Sequence, residues 1–124
     1  MMPVPLRVLL VEDDAPTART LAHMLTEDGF DVEIAFDGAT AIAGLGRGPR
    51  PDVVVVDYWL PNVDGLTVAE YARSRYPGIP IVIVTSYAEV VARAKSNLDP
   101  RPVLISKPVI YKDLVSELRG VRPA

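Results

Sequence analysis

Five short runs rich in valine and isoleucine punctuate the chain: Leu6–Val11, Val32–Phe36, Val53–Val56, Ile81–Val84 and Val103–Ile105. Runs this short, β-branched and bounded by Gly, Pro or Asp read as strands. Between the first two, Ala18, Leu21, Ala22 and Leu25 recur at i, i+3, i+4 and i+7. Asp14 is placed to cap that helix, Pro16 lies in its first turn, and Gly29 can take the left-handed position after its end. Helical patterns follow over 38–46, 66–76 and 88–97, and Tyr111, Leu114, Val115 and Leu118 share one face of a final helix. Strict strand-helix alternation predicts a mainly parallel sheet with helices on both faces, because each crossover is right-handed and packs back onto the sheet. The unbroken Val53–Val56 and Ile81–Val84 runs suit central strands buried on both sides.

Size and composition narrow the function. A chain of 124 residues, 49% hydrophobic, holds one domain, spanning 1–124 with a core from about 6 to 120 and loose ends at 1–5 and 122–124. No apolar run approaches the ~18 residues needed to cross a bilayer, and the start lacks a basic, cleavable leader, so a cytoplasmic location with no membrane partner is expected. The absence of cysteine and the single histidine exclude disulfides, thiolate chemistry and multi-histidine metal sites. A net charge of −3 and a pI near 5.1 argue against direct nucleic-acid binding. Proteins and small ions are the expected partners.

Charged residues stand where the strands end. Glu12 and Asp13 follow the first run, Asp57 the third and Lys107 the fifth, while Thr85 closes the fourth. In open parallel sheets ligands bind beyond the carboxyl ends of the strands, so these side chains are expected at one pocket. Two carboxylates ~4 Å apart repel by roughly 4 kcal/mol at an effective dielectric near 20, so either a proton or a cation must join the acids. All-oxygen donors favour Mg2+, which takes one or two carboxylates and shares oxygens with phosphate. A carboxylate can itself be the nucleophile in phosphoryl transfer. Asp57, at the end of the central strand, is the candidate; Lys107 would neutralise phosphoryl charge and the Thr85 hydroxyl would donate to the product.

The motifs LLVEDD, PDVVVVDYWLPNVDG, PIVIVTS and ISKP, in that order, resemble those of the receiver domains of two-component response regulators, over about residues 6 to 120. The resemblance implies a doubly wound, flavodoxin-like five-stranded sheet of order 2-1-3-4-5. It implies phosphorylation of Asp57 by a phosphohistidine on a sensor histidine kinase or histidine phosphotransfer protein. Mg2+ would be held by Asp13, Asp57 and the backbone carbonyl of Trp59, with Glu12 assisting through water. The only catalysis would be the domain's own phosphorylation and dephosphorylation. Residues 16–26 would dock the kinase, and the face formed by 88–97, the last strand and 109–118 would signal to a downstream protein or to a second copy on phosphorylation. The sequence departs from the family pattern at Leu104, where an aromatic residue often stands three positions before the lysine. Trp59 and Tyr87 supply bulk at two positions that flank the phosphoryl group in the family, predicting slow hydrolysis.

Blander readings stand beside these. Glu12 and Asp13 could simply favour a helix N-terminus, Lys107 could be a solvated lysine, and Thr85 an ordinary strand-end residue. Asp64–Gly65 reads as turn chemistry, and His23 as a surface or rim residue. A haloacid-dehalogenase-type phosphatase would need a second acid where Trp59 stands. A receiver-like interaction module that is never phosphorylated is the other alternative. The ends of the sequence, without a linker, favour a stand-alone receiver.

Overall fold

The alternation closes into a single parallel sheet. The computed structural model describes residues 4–88, 91–92 and 98–123. Its elements are β1 (Arg7–Val11), α1 (Ala15–Glu27), β2 (Asp31–Ala35), α2 (Gly38–Arg47), β3 (Val53–Asp57), α3 (Gly65–Arg75), β4 (Ile81–Thr85), β5 (Val103–Ser106) and α4 (Tyr111–Arg119). The helix expected over 88–97 lies for the most part outside the described residues. Strand order is β2-β1-β3-β4-β5, with every pair parallel. This is the doubly wound, flavodoxin-like arrangement read from the sequence.

Side-chain alternation along the strands builds two cores. Leu9, Val11, Val54, Val56, Ile81 and Ile83 pack beneath Ala41 and Leu45 of α2 and Val68, Ala69 and Ala72 of α3. Their neighbours Val8, Leu10, Val53, Val55, Val82 and Val84 face Leu25 of α1 and Leu114 and Leu118 of α4. Because both faces are covered, β3 and β4 are buried at every position. The edge strands differ: Asp31 and Glu33 of β2 and Val103 and Ser106 of β5 are exposed. Among the described residues no helix is long and apolar enough to cross a membrane.

Three helices begin on the same device. Asp14, Asp37 and Asp64 each accept a hydrogen bond from the backbone N–H three residues on, at Thr17, Thr40 and Thr67. Each cap satisfies one of the N–H groups that a helix start leaves open. The Asp14 and Asp37 carboxyls are held below their usual pKa by these contacts, that of Asp14 chiefly by the Thr17 hydroxyl and that of Asp37 by the Thr40 N–H. The start of α4 differs: Ile110 occupies its cap position, with no side-chain hydrogen bond.

Two local details bear on the sequence reading. Gly29 has φ of 93°, the left-handed conformation expected after α1. The second strand runs one residue earlier than expected, ending at Ala35. Phe36 therefore leaves the ladder and lies beneath the Arg19 guanidinium, 5.5 Å from it.

Candidate functional site

Register brings the strand ends together. Val11 of β1 pairs with Val56 of β3, and Asp57 pairs with Val84 of β4, so Glu12 and Asp13 emerge beside Asp57. Carboxylate oxygens of Glu12, Asp13 and Asp57 lie within 4.8 Å of one another. Lys107, carried past the end of β5 by the hydrogen bond from its N–H to the Thr85 carbonyl, reaches back to Asp57 Oδ2 at 2.6 Å. The Lys107–Pro108 bond is cis. Asp57 is only 5% exposed, and its Oδ1 accepts from the Trp59 backbone N–H at 3.1 Å. The nucleophile candidate is thus fixed through both oxygens.

Three acids facing one lysine leave the pocket with excess negative charge. Burial pushes the Glu12 carboxyl up to about 7, against the stabilising Asp14 backbone N–H, and the Asp57 charge and the contact with Asp13 add to the rise. Partial burial works against the Lys107 charge. Its hydrogen bond to Asp57 and the charges of Asp57, Glu12 and Asp13 outweigh that and hold the ammonium above its ordinary pKa. A hard divalent cation would relieve this imbalance without protonating Glu12, and clustered oxygens suit one.

The remaining predicted residues divide. Thr85 is buried one step beyond Asp57 on the neighbouring strand; its Oγ1 accepts from the Tyr87 N–H at 3.0 Å, leaving the hydroxyl proton available to donate. Trp59 joins the site through its backbone, while its ring is 74% exposed, and Tyr87 is likewise 63% exposed. Leu104 is half-buried against the α2/α3 core. His23 lies on the outer surface of α1, 3.9 Å from Glu27 and away from the acids.

Gly65 is the residue that sequence reasoning missed. Where turn chemistry was expected, Asp64 caps α3, and Gly65 does more than turn: a Cβ there would lie 2.3 Å from the Asp57 carbonyl oxygen and 2.7 Å from Tyr58 Cα. Its N–H also donates to the Tyr58 carbonyl at 2.8 Å. Only glycine lets α3 begin directly against the backbone of the nucleophile candidate. Gly38 does the same for the far side of the loop, where a Cβ would lie 2.6 Å from the Val63 carbonyl. The available signal was glycine at the first position of a helix, where most other residues propagate helix better.

A doubly wound sheet with an acidic cluster and a lysine at its carboxyl edge defines the class of open α/β domains whose site lies beyond the strand ends. The chain matches the response regulator receiver domain family over residues 8–119 and belongs to that family. It is 34% identical over 117 residues to the probable transcriptional regulatory protein TcrX of Mycobacterium tuberculosis, covering 94% of this chain and 50% of that protein. The chain thus spans about half the length of the curated relatives it matches. Among solved structures it superposes on the Vibrio cholerae chemotaxis protein CheY4 with a TM-score of 0.83 at 26% identity, covering 95% of this chain and 99% of that one. It also superposes on the receiver domain of the Pseudomonas aeruginosa sensor histidine kinase PA1611, solved with magnesium in its active site cleft. There the TM-score is 0.79 at 26% identity, covering 93% of this chain and 95% of that one.

Proposed function

We propose that this receiver domain, spanning the whole of 1–124, accepts a phosphoryl group on Asp57 from a phosphohistidine of a sensor kinase or phosphotransfer protein and relays it as a change of protein contacts. The observation that carries this reading is the Asp57 carboxylate, buried and held between the Lys107 ammonium and the Trp59 N–H beside two further acids. Asp13, Asp57 and the Trp59 carbonyl would hold Mg2+, with Glu12 assisting through water, as the magnesium in the PA1611 receiver suggests by analogy. Bound there, the ion supplies positive charge to the transferring phosphoryl oxygens.

The chain's own residues do the rest. An Asp57 oxygen attacks phosphorus as the bond to the donor nitrogen breaks. Lys107 turns from the carboxylate to the phosphoryl oxygens, and the Thr85 hydroxyl donates to one of them. That regrouping moves Thr85 and the Tyr87 N–H bonded to it, and so biases the segment that follows. Residues 16–26 serve as the kinase-docking surface and 109–118 belong to the output face. Trp59 and Tyr87 slow hydrolysis by restricting water at the phosphoryl group. Incubation with phosphoramidate and Mg2+ tests the reading: one phosphoryl group should be gained, and lost in Asp57→Asn. Unmodified wild-type protein would favour the interaction module that is never phosphorylated.

A further inference from the structure

Between α1 and the segment joining β5 to α4 runs a groove of about 900 Å³. Leu10, Val55 and Val84 form its floor, and Leu21 and Met24 of α1 face Val109 across it. One part of the groove reaches Asp57 and Lys107. Tyr111 on the groove wall donates its hydroxyl to the Asp28 carboxylate at 2.6 Å, tying the start of α4 to the residue that ends α1. Burial, and after it that contact, push the phenol up to about 12. A phosphoryl group and its counter-ion need only the polar part. The rest has the size, apolar walls and few convergent polar groups of a small-molecule site.

The chemistry of Asp57 restricts what the molecule can be. Phosphorylating a carboxylate makes a mixed anhydride, so the donor must carry its phosphoryl group at comparable potential, either on nitrogen or on another carboxylate. The leaving group of such a donor starts next to the phosphoryl group, and the groove offers apolar space beside Asp57. Resting on the reading that Asp57 accepts a phosphoryl group, we propose that the groove receives the leaving group of small acyl phosphates, and so selects donors with a bulky apolar acyl or aryl body. In the step an Asp57 oxygen forms a bond to phosphorus, the bond from phosphorus to the acyl oxygen breaks, and the carboxylate departs with the electron pair. No proton and no further reactant are required. Lys107 meets the phosphoryl end, while Leu21, Met24 and Val109 cover the body.

The test compares benzoyl phosphate with acetyl phosphate on the intact chain with Mg2+, following phosphoprotein by mass. Burial of the ring should raise kcat/KM for benzoyl phosphate about tenfold over acetyl phosphate, mainly through KM. Thr20 and Met24 line the groove at exposed positions, where a larger side chain does not disturb the core. In Thr20→Trp and Met24→Trp the benzoyl-to-acetyl ratio should fall to about one; as a ratio, it cancels any general loss of activity. A wild-type ratio near one, or a high ratio that survives both substitutions, overturns the groove assignment and leaves the phosphoacceptor reading standing. Failure of acetyl phosphate, benzoyl phosphate and phosphoramidate alike overturns the phosphoacceptor reading, and the groove assignment with it.

Discussion

The β1–β3 half of the sheet and the β4–β5 half meet the same pocket but are held there differently. β1 and β3 deliver the acids, and each of the first three strands leads into a helix capped by an Asp–Thr pair. Gly65 and Gly38 lock the loop after Asp57 by backbone approach. The second half delivers Thr85 and Lys107 on a buried strand and a half-exposed edge strand, and its final helix starts at Ile110 without a side-chain cap. Among the described residues the two halves thus differ in how their helices start: on Asp–Thr caps and glycine backbone approach in the first, and without a side-chain cap at α4 in the second.

The strongest probe of this contrast is core truncation in each half of the strand set. Leu10→Ala, in buried β1 of the first half, should cost about 4 kcal/mol, whereas Leu104→Ala in edge strand β5 of the second should cost about 1 kcal/mol, both read by denaturant melts. Equal losses would show that β5 is as firmly held as the centre. Next, Gly65→Ala should destabilise by about 3 kcal/mol and slow phosphorylation of Asp57 more than tenfold, since the added methyl displaces the backbone of Asp57 itself. Gly44→Ala, with only the tip of Arg47 within reach, is the control.

An intermediate effect comes from Glu12. With its folded pKa raised from the ordinary 4.5 to about 7, the folded protein retains between those values a proton that the unfolded chain has released. Stability of the metal-free protein should thus fall as pH rises through that window, by up to about 3 kcal/mol, with no further loss above it. Melts from pH 4 to 8 in chelator check this, and Glu12→Gln should flatten the curve. The caps give the smallest effects. Asp37→Ala should cost about 1 kcal/mol, and Ile110→Asp, which gives α4 the cap it lacks, should gain about 0.5 kcal/mol. If Ile110→Asp also slows exchange of the α4 amides, the missing cap limits the stability of that helix start.

Much of this was legible in the chain because the signals were local. The Val53–Val56 and Ile81–Val84 runs announced buried parallel strands, and acids at strand ends announced the pocket without any knowledge of contacts. Strand limits were less so: Phe36 looks like a β residue, yet it lies beyond the ladder because Ala35 already reaches the carboxyl edge of β1. Gly65 was hidden for a different reason. Its importance lies in how close a Cβ there would come, 2.3 Å, to a carbonyl eight residues earlier, a distance set by how α3 lies on β3 and not by any pattern in DGLTV. The depth of the α1–α4 groove was equally invisible, since Leu21 and Met24 look like ordinary members of a helix's apolar stripe.

Trp59 has a practical consequence. It is the single tryptophan of the chain, its ring stands in solvent, and its own peptide N–H holds Asp57 Oδ1. Whatever draws that carboxylate away pulls on the peptide bearing the sole indole. The protein therefore carries a built-in optical gauge two residues from Asp57, and a change of intrinsic emission on adding Mg2+ or phosphoramidate would report on that carboxylate without a label.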